Sequence, residues 1–165
     1  KPVLTTAEAH LKGQELATET AEKYGKPTSP LKGANLISFN KGAEVYSREG
    51  HCITCHQSDG EGLPAAMFPP LAGTKWVQGS EDRLIKLTLN GLLGPIEIKG
   101  KIYPGQVPMT AFKQLSDEEL AAVLTYVRNT FGNKASIISP AKVKQVREAT
   151  KNQNGFYAPA DIEND

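Results

Sequence analysis

The sequence predicts an all-α fold in which helices alternate with long loops rich in glycine and proline. Three observations carry this. Stretches of helix formers begin on capping residues and stop at glycines. The span from Gly60 to Gly79 holds four glycines and three prolines, a composition for ordered loop. One element, "LSDEELAAVLTYVRNTFGN", is a helix by every local criterion. Ser116 and Glu119 form a capping box, Leu120, Val123, Leu124, Val127 and Phe131 share a face, and Gly132 supplies the stop.

The chain has 165 residues, enough for one domain of the usual ~100–150 residues plus an extension. Its 39% apolar and 22% charged residues suit a soluble globular protein, and no apolar run approaches the ~20 residues of a membrane span. Nineteen basic and eighteen acidic side chains leave a net charge of +1, so nothing global points to nucleic acid or an anionic membrane. The start at Lys1, with neither an initiator Met nor a signal-like stretch, is expected of a processed secretory protein or of a fragment.

Taken in order, "TTAEAHLKGQELATETAEKYG" predicts a helix over Thr5–Tyr24, opened by a capping box at Thr5 and Glu8. "KPTSPLKG" then reads as a linker. The expected organisation is an N-terminal helical extension and linker over 1–32, a main domain over 33–135, and a C-terminal helix and tail over 136–165. Within the main domain a helix is expected from about Asn40, as N-cap, to Arg48. "SEDRLIKLTLNG" predicts a short helix with Ser80 as cap and Gly91 as stop, and the alternation of "IEIKGKIY" a small hairpin. "SPAKVKQVREATK" predicts a helix capped by Ser139 with Pro140 at its first position, and the last fifteen residues read as a mobile or lightly docked tail.

The only two cysteines, Cys52 and Cys55, sit in "HCITCH" with His56 directly after the second. A C-x-x-C pair can cycle between dithiol and disulfide, but that chemistry normally follows a strand in a βαβ unit, and here helices and loops surround it. A structural zinc ion needs four ligands. Cys52, Cys55 and His56 would need His10, His51 or a carboxylate, and no second C-x-x-C or H-x-x-x-H half exists. Covalent haem uses every member: the thiols add to the vinyl groups on one haem edge, and the histidine ligates iron. The expectation is one haem c, attached through Cys52 and Cys55, with no disulfide.

His56 fills one axial position, and the chain offers two methionines for the other. Met67 lies only eleven residues from His56, too near to reach the opposite face easily, and reads as packing. Met109, in "GQVPMTAF", lies some fifty residues on in sequence without core periodicity, and is the expected second ligand. His51 reads as exposed, and His10 has no motif around it.

These features resemble the class I, monohaem cytochrome c family over about Leu36 to Asn133. "KGAEVYSREGHCITCH" is similar to the family's first helix, in which Gly42 and Tyr46 let it cross closely over the last helix. "FPPLAG" resembles its P-x-L-x-G segment, and "VPMTAF" its distal methionine loop, although many relatives write Met then Pro whereas here Pro108 precedes Met109. "LSDEELAAVLTYVRNTFG" resembles the final helix, with Leu124 and Tyr126 or Val127 at the crossing. The resemblance implies the class I cytochrome c fold, helices packed round one covalently bound haem, with additional N- and C-terminal helices. It implies that the Pro69 carbonyl accepts a hydrogen bond from the second ring nitrogen of His56. Trp76 and Tyr103 would hydrogen-bond the haem propionates or pack on the ring. "FPPLAGTKWV", "LNGLLGPIEIKGKIY" and "LAAVLTYVRNTFGN" look most like cytochrome domains attached to, or partnered with, bacterial extracytoplasmic dehydrogenases and reductases.

The function expected is one-electron transfer by a carrier that is not itself an enzyme, with His56 and Met109 bound throughout. Its partners would be redox proteins (a dehydrogenase, reductase or oxidase) that dock transiently at the exposed haem edge. An alternative is a haem domain or subunit relaying electrons within a larger dehydrogenase or reductase. A third reading, a haem enzyme or gas sensor with an open distal site, requires Met109 not to ligate. Thioether attachment takes place outside the cytoplasm, so a periplasmic or otherwise extracytoplasmic location in a bacterium is expected.

Overall fold

The computed structural model describes residues 26–165; the helix expected over Thr5–Tyr24, and His10 within it, lie outside the described residues. The first described helix, α1, runs Gly33–Ser47 and the strongest, α5, runs Asp117–Arg128. They form the central crossing, and Gly42 makes it possible. A Cβ added there would lie 2.0 Å from the Ala122 carbonyl oxygen and 2.7 Å from Tyr126 Cβ. Ala122 and Tyr126 therefore meet the glycine. Around it, Phe39 and Tyr46 stack obliquely on Tyr126 with ring centroids 5.1 and 5.3 Å apart, and Phe131 closes the cluster at 5.7 Å from Tyr46.

The start of α1 corrects the expectation of an Asn40 cap. The helix begins at Gly33 behind Lys32, which makes no side-chain cap, and Asn40 lies in its interior. The apolar stripe explains why: Leu36 and Phe39 continue the spacing of Ala43 and Tyr46 upstream, and burying that stripe outweighs a local capping signal. At the other end, α5 opens with the expected capping box, Glu119 N–H donating to Ser116 Oγ (3.1 Å) and Ser116 N–H to Glu119 Oε2 (2.9 Å). It closes at Arg128, before Gly132. There the buried Arg128 guanidinium donates to the carbonyls of Val77 (2.6 Å), Gly79 (3.0 Å) and Ser136 (2.8 Å), joining three segments at the helix end.

Between the crossing helices lie α2 (Cys52–His56), a 3₁₀ turn (Pro64–Ala66), α3 (Lys75–Gln78) and α4 (Glu81–Asn90). The glycine-rich span is thus loop with two short turns of helix, the second started by Thr74 Oγ1 accepting from Trp76 N–H. The hairpin is present as β1 (Ile96–Ile98) and β2 (Lys101–Tyr103), antiparallel with Ile96 opposite Tyr103. Ile96, Ile98 and Tyr103 face inward as a second small core.

After α5 the chain returns through α6 (Pro140–Ala149), capped by Ser139, which buries Val143 and Val146 against the body. The last fifteen residues, expected to be mobile or lightly docked, are docked, with Pro159 and Ile162 buried and most of the others exposed. The short helix α7 (Pro159–Ile162) puts Ile162 in the main core, Arg83 donates to the Glu163 carbonyl (2.9 Å), and Lys86 pairs with Asp165 at 2.7 Å. Counting charges and glycines hid a single well-placed isoleucine. Among the described residues no helix is long and apolar enough to cross a membrane.

Candidate functional site

The motif folds as a single turn. His51 takes a left-handed conformation (φ 49°), and α2 ends at Gln57, also at positive φ (64°). On a helical turn, positions i, i+3 and i+4 share a face, so Cys52, Cys55 and His56 point to one side. Tyr46 fixes the turn to α1 by donating its hydroxyl to the Gln57 carbonyl at 2.6 Å. Burial pushes that phenol's pKa up, so it remains a donor.

His56 is 8% exposed, and its Nδ1 lies 2.8 Å from the Pro69 carbonyl oxygen. A carbonyl only accepts, so Nδ1 carries the proton and Nε2 is left with its lone pair. Burial holds the ring's pKa below the ordinary histidine range, with the Pro69 bond acting in the opposite sense. The neutral imidazole with a free Nε2 is the form that binds a metal.

The loop that follows Pro69 and Pro70 is held from just beyond α5. Asn133, fully buried just beyond α5, donates through Nδ2 to the carbonyls of Leu71 (3.1 Å) and Val127 (2.8 Å) and accepts from Gly73 N–H at 2.8 Å. Leu71 and Ala72 N–H both donate to the Gly60 carbonyl, at 2.7 and 3.0 Å. The loop after Pro70 is thereby stitched to α5 on one side and to the motif on the other. Asn133 had been legible only as the end of a helix; the signal for its role is tertiary.

These elements enclose a cavity of about 610 Å³, within the range of small-molecule sites. Cys52, Cys55, His56, Pro69, Tyr103 and Met109 all line it. A smaller, almost wholly apolar cavity of about 90 Å³ adjoins, sharing Cys52, His56, Pro69 and Met109 with the first. Trp76 lines the smaller one only, and Arg83 covers its ring with the guanidinium 4.4 Å from the centroid. Tyr103 is buried beside the larger one. Met67 is 43% exposed at the cavity's margin, which corrects its reading as interior packing: it takes a left-handed turn (φ 62°) after the 3₁₀ segment. His51 is exposed, as expected.

Met109 is held by its backbone. Its N–H donates to the Leu92 carbonyl (2.9 Å) and its carbonyl accepts from Leu92 N–H (3.0 Å), an isolated antiparallel bridge. Phe112 N–H then donates to the Thr88 carbonyl at 3.0 Å, tying the same loop to α4.

The donor set suits haem rather than the two other chemistries of the motif. Burial pushes the Cys52 thiol up to about 12, the opposite of a reactive redox dithiol. Among the described residues no three His, Cys, Asp or Glu side chains converge as a metal cluster. Instead, two thiols and one neutral imidazole border a large apolar cavity that a methionine also lines.

A family model described as "Cytochrome c" matches residues 39–131, more than half the chain. A cytochrome c-552 of Thermus thermophilus is 37% identical over 124 residues, covering 72% of this chain and 80% of the relative. A fructose dehydrogenase cytochrome subunit of Gluconobacter japonicus is 33% identical over 139 residues, 79% of this chain but 28% of the relative. The cytochrome c subunit of a quinone alcohol dehydrogenase from Gluconobacter oxydans is 36% identical over 112 residues, 66% of this chain and 22% of the relative. The chain therefore spans most of the c-552 and about a quarter of the dehydrogenase subunits.

Proposed function

The chain belongs to the cytochrome c family, and from that premise we propose that it is a one-electron carrier whose haem c is held between His56 and Met109. Its family and its Cys52-x-x-Cys55-His56 motif imply covalent haem c, and electron transfer is the family's work. The observation that carries the finer reading is the His56–Pro69 hydrogen bond of 2.8 Å, which leaves Nε2 free at a cavity that Met109 also lines. A bound haem supplies a ferric–ferrous couple whose potential rises with a thioether ligand and apolar surroundings.

The chain's own residues do the rest. Cys52 and Cys55 would hold the group covalently, and the Pro69 carbonyl orients the His56 ring and raises its basicity. Leu92 holds Met109 in place through two main-chain bonds. Leu92, Ile96 and Phe112 present apolar surface and exclude water. Tyr103, buried beside the larger cavity, supports a contact with a propionate or the ring; Trp76, beneath Arg83, favours packing. We place the protein outside the cytoplasm, where thioethers are formed, and expect a dehydrogenase, reductase or oxidase to dock at the exposed haem edge.

A second reading, a haem unit relaying electrons within a larger oxidoreductase, draws on the dehydrogenase cytochrome subunits among the relatives. The free carrier is preferred because two c-552 relatives from Thermus thermophilus are 37% and 39% identical to it, against 33% and 36% for the two dehydrogenase subunits. A haem enzyme or gas sensor would require Met109 to leave iron open. A pyridine haemochrome spectrum with intact mass tests the attachment: the mass should exceed the polypeptide's by one haem. A bare polypeptide mass, or haem extracted by acid acetone, contradicts it.

A further inference from the structure

The C-terminal arm, residues 140–165, makes contacts that a tail without a role would not need. Tyr157 N–H donates to the Gly91 carbonyl (3.1 Å) and its carbonyl accepts from Leu93 N–H (2.9 Å), so that Tyr157 pairs in parallel with Leu92. Leu92 is already paired on its other edge with Met109. Gly91–Leu93 is thus a middle segment bridged on both edges, with the methionine on one side and the arm on the other. Gly91 permits this: at φ 81° its missing Cβ would fall 2.5 Å from the Phe156 ring and 2.6 Å from the Met109 carbonyl oxygen.

The arm also grips the chain that follows Met109. Arg147 donates to the carbonyls of Lys113 (3.0 Å) and Leu115 (2.7 Å) and pairs with Asp117 at 2.8 Å, while Lys113 Nζ donates to the Gln153 carbonyl at 3.3 Å. Ile162, in the main core, anchors the far end of the arm.

We propose that the C-terminal arm is a clamp on the Met109 loop, with Tyr157 a positioning residue that acts through the backbone of Leu92 to keep Met109 in place. This rests on the reading of Met109 as the distal ligand. A middle strand paired on both edges resists displacement more than one paired on a single edge, because opening it breaks both sets of bonds. Releasing the arm should therefore open the methionine side of the site while leaving the His56 side as it was.

The test uses the ferric holoprotein and imidazole, a ligand that competes for the distal position, and follows loss of the weak red-edge absorbance of sulfur-ligated haem. Tyr157→Pro removes the N–H given to Gly91; it should speed imidazole binding about tenfold, the effect of one main-chain hydrogen bond. Tyr157→Phe keeps the backbone and should match the unaltered protein. Phe39→Leu, at the α1–α5 crossing, serves as a control for general loosening and should leave the rate within about twofold. Equal rates for Tyr157→Pro and the unaltered protein, or a rise in Phe39→Leu matching its loss of stability, would overturn the clamp. Failure of the underlying reading is separately visible, as a red-edge band that survives Met109→Ala. Amide exchange in the unaltered holoprotein needs no variant: Met109 and Tyr157 should open together, and a Met109 amide that exchanges independently of Tyr157 also overturns the proposal.

Discussion

The two sides of the cavity are secured by different means. His56 comes from a one-turn helix with both cysteines, and its ring is set by a single carbonyl thirteen residues away. Met109 arrives some fifty residues later and is held by main-chain pairing to Leu92, itself backed by Tyr157. The histidine side is fixed by a local motif and a buried side chain, Asn133; the methionine side depends on strands that meet only when the whole chain is folded. On the proposed ligation, Met109 is the ligand whose retention is built by main-chain pairing between distant segments, and so the one that can be loosened without the other.

The largest effect should come from the frame that both sides share. Gly42→Val pushes a side chain into the Ala122 carbonyl at 2.0 Å, and the helices must part. A loss of about 3–5 kcal/mol is expected in urea denaturation of the holoprotein. A loss below about 1 kcal/mol would mean that the crossing is not close.

Next is the histidine side. Asn133→Leu removes three hydrogen bonds in a buried setting, and should cost about 2–4 kcal/mol by the same measurement. Because Asn133 holds the loop behind Pro69, the bond to His56 should slacken, the imidazole become a poorer donor to iron, and the reduction potential rise. Imidazole binding should stay close to that of the unaltered protein. An unchanged potential would show that Pro69 is held by the loop's own backbone.

On the methionine side, Arg147→Met removes bonds to Lys113 and Leu115 and the pair with Asp117, which are only partly buried. About 1–2 kcal/mol should be lost, and here imidazole binding should accelerate with no change in potential. Acceleration in Asn133→Leu but not in Arg147→Met would reverse the assignment of the two sides.

The smallest effect is pH-dependent. The hydrogen bond to Asp165 raises the pKa of Lys86 above its ordinary value. A raised folded-state pKa gives stability that is complete below the unfolded value, about 10.4, and disappears as pH climbs through the folded one. The pair is largely solvent-screened, so less than about 1 kcal/mol should be lost above pH ~10.4. That loss should be absent in Lys86→Met and reduced by salt.

How much of this was legible in the sequence follows from the same contrast. Cys52, Cys55 and His56 are neighbours, so their chemistry reads directly; the caps at Ser80, Ser116 and Ser139 are local too, and each accepts the backbone N–H expected of it. The hairpin over Ile96–Tyr103 follows from alternation. What sequence reasoning missed is set by distance along the chain. α1 begins at Gly33 because burial of Leu36 and Phe39 overrides the capping preference of Asn40. Asn133 matters through the Leu71 carbonyl and the Gly73 N–H, some sixty residues earlier. The tail looked loose because its polar composition conceals Ile162 and because main-chain pairing at Tyr157 carries no side-chain signal.

The most direct test of the account is the red-edge absorbance of the ferric holoprotein in three forms: unaltered, Met109→Ala and Met67→Ala. The account predicts a band in the unaltered protein and in Met67→Ala, and none in Met109→Ala. A band that survives Met109→Ala, or that is missing from the unaltered protein, would contradict a haem held between His56 and Met109.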